Sequence, residues 1–457
     1  MEEYLKMRVG IIINSLLIKL KFLKNNQALM KYFKNTSWLL WERMFQMGIS
    51  FFIIILLSRY LGPENFGLLS YSQSYIGMFL VFSSLGIDVI LVRELTKNKE
   101  NSNKIIGTAC FLKLFTSLVV ICIIFVISIF KEDRDAVLLT NIIAFTLIFQ
   151  SIKTIDVYFQ ANVISKYTAM VNLVAFIFSS ILKLTLIYFE MDLIYFAYAL
   201  VFDGVFAAIG YLYIYTKQKQ SFLQWEFDKT TAIYLLKNGL PLVLVGFAAF
   251  IYTRTDQLML KHLVGNEAVG NYAAAIRVSE LFYFIPLLIT QSIFPKIVEI
   301  REKSEKEYFN LLENLHVFLT WSAIPIALSL FMFSDFIVAI LYGSQFTQAS
   351  SILSILAFAI IFNSIGAITT KVLYVEHYES KYLHRSILGV FVNIGLNFYL
   401  IPVYGPQGAA ISTIVTLFAI YYIYDVLDKD LHKFYYLKLK CLIPITNSFL
   451  RKATKDE

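Results

Sequence analysis

Four charged residues stand inside some of the most apolar sequence in this chain. Arg254 and Asp256 lie two apart in "YTRTDQLML" (252–260), at the far end of an apolar run that begins at Leu240; Arg277 and Glu280 lie three apart in the next run. Each residue type brings a definite chemistry. A guanidinium presents a planar fork of donors that phosphate or carboxylate oxygens accept two at a time. A carboxylate in apolar surroundings holds a proton or a cation, or answers a base. Residues two apart on a helix point about 200° away from one another, so Arg254 and Asp256 need other partners. Residues three apart share a face, so Arg277 and Glu280 can pair.

The first half of the chain carries its own set. Glu42 and Arg43 sit near the start of an apolar run, where Arg43 can reach lipid headgroups or greet an anion at a cavity mouth. Asp88 lies one turn before Arg93 and can pair with it or supply a cavity carboxylate. Lys113 and Lys153 are placed to snorkel toward a membrane surface, with Asp156 a local partner for Lys153. Lys183 is deeper in its run and joins the binding candidates. Asp203 has no base nearby in its own run, which makes it, with Asp88, a candidate for proton or sodium coupling.

These residues are carried by runs long enough to cross a bilayer. The chain has 457 residues, 58% hydrophobic and only 16% charged, with a mean hydropathy of +0.66. Soluble domains are nearer a quarter charged, and a hydrocarbon core about 30 Å thick takes roughly 20 helical residues. Runs such as "FLKLFTSLVVICIIFVISIF" (111–130) meet that length. The pattern predicts twelve helical spans, near 38–60, 67–92, 105–130, 136–160, 167–189, 193–216, 238–260, 270–295, 310–333, 349–375, 383–402 and 407–427. A β-barrel would instead show ten-residue alternating segments. The expectation is an all-α integral membrane protein.

Lys and Arg gather at the N-terminus, in alternate connections and in the C-terminal tail, which places both termini on the cytoplasmic side. The net charge of +8 reflects that rule and implies no nucleic-acid partner. "VGIIINSLLI" (9–18) is too short to span and, flanked by bases, reads as an interfacial segment of the inner leaflet. Cys110, Cys122 and Cys441 are too scattered for a disulfide framework or a metal site, so no metal is expected.

The two halves resemble each other. The turn after the first span of each half reads "LSRYLGPENFGLLSY" and "LKHLVGNEAVGNYAA"; Gly62, Glu64 and Gly67 align with Gly265, Glu267 and Gly270 at a constant offset of 203 residues. The glycines suit turns with positive φ. Six spans per repeat give both halves the same orientation, related by an axis along the membrane normal. The organisation is then an N-terminal segment (1–37), a first six-helix bundle (38–216), a cytoplasmic linker (217–237), a second six-helix bundle (238–427) and a tail (428–457). The in-span charges break the symmetry: Arg254, Asp256 and Arg277 stand opposite Phe51, Ile53 and Ser74.

"SWLLWERMFQMGISFFIIILLSRYLGPENFGLLSYSQS" and "DQLMLKHLVGNEAVGNYAAAIRVSELFYFIP" resemble the openings of the two halves of bacterial polysaccharide repeat-unit flippases of the Wzx type, the O-antigen flippases of the multidrug/oligosaccharidyl-lipid/polysaccharide exporter superfamily. The likeness runs from the first span through the twelfth. It implies a V-shaped MATE-like pair of bundles around a central cavity in the inner membrane, and the transfer of undecaprenyl-diphosphate-linked oligosaccharide between leaflets for O-antigen, capsule or exopolysaccharide. Partners implied with it are membrane lipid, a polysaccharide polymerase and chain-length proteins. The resemblance also implies that cavity cations attract the diphosphate, which gives Arg277, Arg254, Arg43 and Lys183 as binding candidates, with Glu280 and Asp256 beside them.

A cation-coupled multidrug antiporter of the same superfamily is the alternative; it would favour carboxylates over these mixed charges. A glycan polymerase or ligase would need a large outer loop, and the outer turns are about ten residues or fewer, so an enzyme is not expected. No G-x-x-x-x-G-K-[ST] loop for ATP is present. No bound cofactor is expected, and the candidates for coupling are a proton gradient, a sodium gradient and the membrane potential.

Overall fold

The computed structural model describes residues 27–442, and among them every regular element is helical. The expected interfacial stretch at 9–18 lies outside the described residues. The helices are α1 (Gln27–Ser84), α2 (Asp88–Lys97), α3 (Ser102–Ile129), α4 (Arg134–Ala144), α5 (Thr146–Ile152), α6 (Thr154–Ala161), α7 (Lys166–Tyr188) and α8 (Leu193–Lys217) in the first half. In the second half they are α9 (Lys229–Leu263), α10 (Asn266–Lys303), α11 (Glu305–Met332), α12 (Ser334–Tyr342), α13 (Ala349–Leu356), α14 (Ala359–Val375), α15 (Glu379–Phe418), α16 (Tyr424–Leu427) and α17 (His432–Leu442), with a π-turn, Ala419–Ile423, between α15 and α16.

Nine helical stretches of the described residues are long and apolar enough to cross a membrane, or ten when α13 and α14, bent 40° apart, count as one. The protein is a multi-pass membrane protein. Two stretches each hold two helices joined at a kink, α1 at Gly62 (φ 69°) and α15 at Gly405 (φ 59°). Each kink is a glycine-proline dipeptide, with Pro63 and Pro406 opening the second limb. Positive φ needs the glycine, and proline's fixed φ with no N–H suits a helix start.

Several boundaries differ from the expected spans. The helix at 136–160 is three segments, α4 to α6, broken at Phe145 and Lys153. α9 begins at Lys229, well before the apolar run, because Asp228 caps it by accepting from Thr231 N at 2.7 Å. The turn after Met332 is longer than expected and holds α12. Part of the tail is also helical, as α17, and is locked to the second half: Asp425 binds both Arg385 and Lys438 (2.6 Å to the latter), all three side chains at most 3% exposed.

The end of the molecule that carries residues 218–228 is here termed the linker end, and the opposite one the hairpin end. At the hairpin end the two repeated turns touch. A Cβ on Gly67 would stand 1.9 Å from the carbonyl oxygen of Asn266, and one on Gly270 would stand 1.9 Å from that of Pro63. Toward the linker end the halves meet along the second limb of α1 and α9, where Phe82 and Phe247 pack with ring centroids 4.8 Å apart. The largest buried core draws on both halves, with Leu69, Tyr71 and Phe196 from the first and Tyr272, Ala273 and Phe346 from the second.

Candidate functional site

Polar residues at helical spacing build a cavity inside the first half. The first limb of α1 contributes Arg43, Gln46 and Ser50, three and four apart and therefore on one face. Thr146 and Gln150 of α5, with Lys153 at the break before α6, form a second stripe; Asn172, Ser179 and Lys183 of α7 form a third. Asp203 of α8 and Phe284 of α10 close the ring around about 710 Å³. A second space of about 240 Å³ adjoins it toward the hairpin end and shares Ser50, Phe176, Lys183 and Leu200; there Leu57, Phe66 and Arg277 complete the wall. Arg277 comes from α10, so the combined cavity takes residues from both halves.

Its electrostatics are one-sided. Arg43, Lys153, Lys183 and Arg277 line it, against one lining carboxylate, Asp203. Lys183 Nζ donates to Asp203 at 2.7 Å and to Ser179 Oγ at 2.8 Å. The remaining cations face a space whose other polar groups are amides and hydroxyls, Gln46, Gln73, Gln150 and Asn172 among them. Such a surface offers charged donors at several points to an anionic group and a single carboxylate to a cation.

Beside Arg277 lies a shared carboxylate. Glu280 accepts from Arg254 Nη2 at 2.7 Å, while Arg277 Nη1 stands 3.6 Å from its other oxygen. The tighter partner of Glu280 is therefore Arg254 on α9, one helix away, and not Arg277 on its own helix. Arg254 and Glu280 line neither of these two spaces, yet at 27% exposed each they are about as accessible as Arg277 at 33%. Arg43 is exposed at the linker end of the cavity wall.

Asp256, a binding candidate in the sequence, lines neither space. It is 1% exposed, in the second half. Its Oδ1 accepts from Asn393 (3.0 Å) and Asn397 (2.6 Å), and its Oδ2 from Tyr272 (2.6 Å) and Thr413 (2.7 Å). Among the described residues no Lys or Arg forms an ion pair with it, so four uncharged donors hold one carboxylate. Asp88, in contrast, is neutralised by Lys113 of α3, and Lys113 is buried instead of snorkelling; Arg93 bonds Glu94 and Tyr234 instead of Asp88. Asp156 bonds Thr168 and Gln160, and Lys153 faces the cavity. Gly62 and Gly265 adopt the positive φ expected of them, 69° and 127°, with Glu64 and Glu267 exposed in the first turns that follow, whereas Gly67 and Gly270 lie within helices and serve close packing instead of a turn. Tyr71 and Tyr272 are buried in the core and line neither space.

The amides Gln46, Gln150 and Asn172 escape a reading that looks only at charge, and Lys153, expected to snorkel, lines the cavity instead. Their signal was present as polar residues recurring at three, four and seven positions within apolar runs.

A family model described as "Polysaccharide biosynthesis protein" matches residues 32–301, more than half of the chain. The chain belongs to this family. A relative from Staphylococcus aureus described as "Capsular polysaccharide biosynthesis protein CapF" is 24% identical over 403 residues, 86% of this chain and 98% of the relative. Among solved structures, "Lipid II flippase MurJ, inward closed conformation" superposes with a TM-score of 0.69 at 16% identity, over 88% of this chain and 90% of that one. An inward-facing multidrug resistance MATE family transporter gives 0.62 at 15% identity, over 85% and 96%. This family member therefore has the MATE- and MurJ-like fold of paired helix bundles.

Proposed function

We propose that this protein is a flippase that turns a lipid-linked oligosaccharide across the membrane for polysaccharide biosynthesis. The observation that carries the reading is the cavity shared by the two halves, lined by Arg43, Lys153, Lys183 and Arg277 against the single carboxylate Asp203. A diphosphate joining sugar to polyprenol is a compact anion that guanidinium and ammonium groups bind in a wet cavity at tolerable desolvation cost. The amides and hydroxyls between the cations suit sugar hydroxyls, which both donate and accept. The relative CapF carries a capsular polysaccharide description, and MurJ a lipid II one, in agreement with a lipid-linked glycan as cargo.

In this reading the linker end is cytoplasmic, with both termini, in a bacterial cytoplasmic membrane, and the substrate is an undecaprenyl-diphosphate-linked repeat unit of O-antigen, capsule or exopolysaccharide. Counting each kinked stretch as two crossings yields twelve, six on either side of the linker. Loading occurs beside Arg43, and Lys183 and Arg277 hold the diphosphate further in. A polymerase and chain-length proteins take the product on the outer side. Coupling to protons or sodium belongs to Asp256 more than to Asp203 or Asp88, because lysines already neutralise the latter two, while Asp256 gathers oxygen- and amide-bearing neighbours without a cation.

Deleting the gene and following both surface polymer and leaflet-resolved lipid-linked repeat units tests the proposal. Loss of polymer with accumulation on the cytoplasmic leaflet, restored by wild type but not by Arg277→Ala expressed at equal level, is the expected result. Intact polymer together with new sensitivity to cationic dyes would overturn it in favour of drug export.

A further inference from the structure

The second half carries a groove that shares no lining residue with the cavity. Phe362 and Ile365 of α14 form one wall, Ile423 of the π-turn and Val426 of α16 another, and Tyr435 and Leu439 of α17 close it at the linker end, around about 440 Å³. Apart from Tyr422 and Tyr435, every side chain that lines it is hydrocarbon. Ile423 and Val426 are 42% and 46% exposed, so the groove opens on the outer flank of helices that cross the membrane. Walls of this kind offer water no partners, and what reaches them on that flank is a chain of the bilayer itself.

The π-turn shapes the groove. Its extra residue widens the backbone spiral between α15 and α16, a feature that recurs at functional positions in helices. Tyr422 and Ile423 both belong to it and both line the groove. A Cβ on Gly366 would stand 2.2 Å from the Tyr421 ring, so α14 packs hard on the π-turn beside Ile365.

The linker-end rim is basic. The rotation of α17 is fixed by Lys438 on Asp425 and by Trp321 Nε1, which donates to the Cys441 carbonyl at 3.1 Å. Lys433, Tyr436 and Lys440 are left exposed, at spacings of three and four that put them on one side of the helix. The acids nearby are already taken: Asp425 by Arg385 and Lys438, Asp428 and Asp430 by Lys381, and Glu376 by Arg301 at 2.9 Å. Lys433 stands 3.8 Å from the occupied Glu376, and Lys440 forms no ion pair among the described residues. Exposed lysines and a tyrosine beside the end of a span suit the headgroups of anionic lipid.

We propose that this groove holds one acyl chain of an anionic phospholipid from the linker-end leaflet, its phosphate taken by Lys440, and that the bound lipid seats α17 on the second half. The lipid ties α14, the π-turn and α17 together from outside, as Asp425 ties α15 and α17 from inside. Because the groove and the cavity have no wall in common, its occupant is a resident of the bilayer and not the tail of the cargo. The site stands on its own geometry and does not depend on the flippase reading.

The test uses the purified full chain, delipidated in detergent and titrated with dioleoylphosphatidylglycerol, dioleoylphosphatidylcholine or undecaprenyl phosphate. Thermal unfolding and lipid retention by native mass spectrometry are the readouts. Phosphatidylglycerol should raise the unfolding temperature by several degrees more than phosphatidylcholine, with a single molecule retained per chain. Lys440→Glu should abolish that difference at an unchanged starting temperature, since Lys440 has no ion-pair partner to lose. Val426→Trp, which fills the groove, should lose retention of both phospholipids. Equal responses of the wild type to the two phospholipids, an undiminished preference in Lys440→Glu, or wild-type retention by a folded Val426→Trp chain would each overturn the proposal. Displacement of phosphatidylglycerol by undecaprenyl phosphate at equal concentration would also overturn it, by assigning the groove to the cargo.

Discussion

Lys183 of α7 binds Asp203 of α8 at 2.7 Å on the wall shared by the two parts of the cavity. Their side chains are 17% and 33% exposed, so the pair is neither a screened surface bridge nor a fully buried one. Asp203 keeps one carboxylate oxygen without a hydrogen-bond partner among the described residues. The pair sets a cation beside the cavity while preventing an uncompensated charge between helices.

Lys183→Ala should leave Asp203 without its counter-charge and lower both export and stability, the latter by about 1–3 kcal/mol, the cost of an unsatisfied polar or charged group. The double variant with Asp203→Asn should recover most of the stability and none of the export. Thermal unfolding in detergent and polymer yield read the two effects separately. Recovery of export by the double variant would remove Lys183 from cargo binding.

Arg277→Ala should reduce export on the order of ten- to a hundredfold, as expected for the loss of one hydrogen-bonded contact to a charged group at about 1.5–3 kcal/mol. Arg277→Lys should retain part of it, since an ammonium keeps the charge but not the fork of donors. Arg254→Ala should act indirectly: Glu280 loses its 2.7 Å partner and draws Arg277 back from the cavity. Restoration of export in Arg254→Ala by adding Glu280→Gln checks that route.

Asp256→Asn should disrupt the four converging donors, because one of the two new amide atoms donates where Tyr272 and Thr413, or Asn393 and Asn397, also donate. If Asp256 couples transport, the wild-type protein gains thermal stability on adding sodium or on acidification, and the variant gains none. Equal ion responses in both proteins would move the coupling elsewhere.

Asp425→Asn should be the most destabilising of these changes, by about 3–5 kcal/mol, because Arg385 and Lys438 would remain buried without their acid. Lower membrane yield and a lower unfolding temperature, with normal export per folded molecule, are the expected readouts.

Much of the architecture was legible in the sequence because apolar runs and the 203-residue repeat are one-dimensional signals. Gly62 and Gly265 announced their positive φ through turn position alone. Partner choice was not legible. Asp203 and Asp88 look unpaired or locally paired along the chain, yet their lysines arrive from neighbouring helices, and Glu280 prefers Arg254 over the base on its own helix. Such choices depend on helix rotation, which apolar runs facing lipid on one side and protein on the other leave undetermined. Lys153 illustrates the same limit: distance to the membrane surface suggested snorkelling, while the break before α6 turns it into the cavity.

The seating of Lys438 bears on how the chain is made. Arg385 and Asp425 emerge from the ribosome before it, and until α17 follows, the second half holds a cluster one charge short of its final arrangement. The ion cluster of the second half is therefore completed only when α17, a tail segment, docks. A reporter spliced in ahead of residue 432 would part Asp425 from Lys438 and interrupt that pairing.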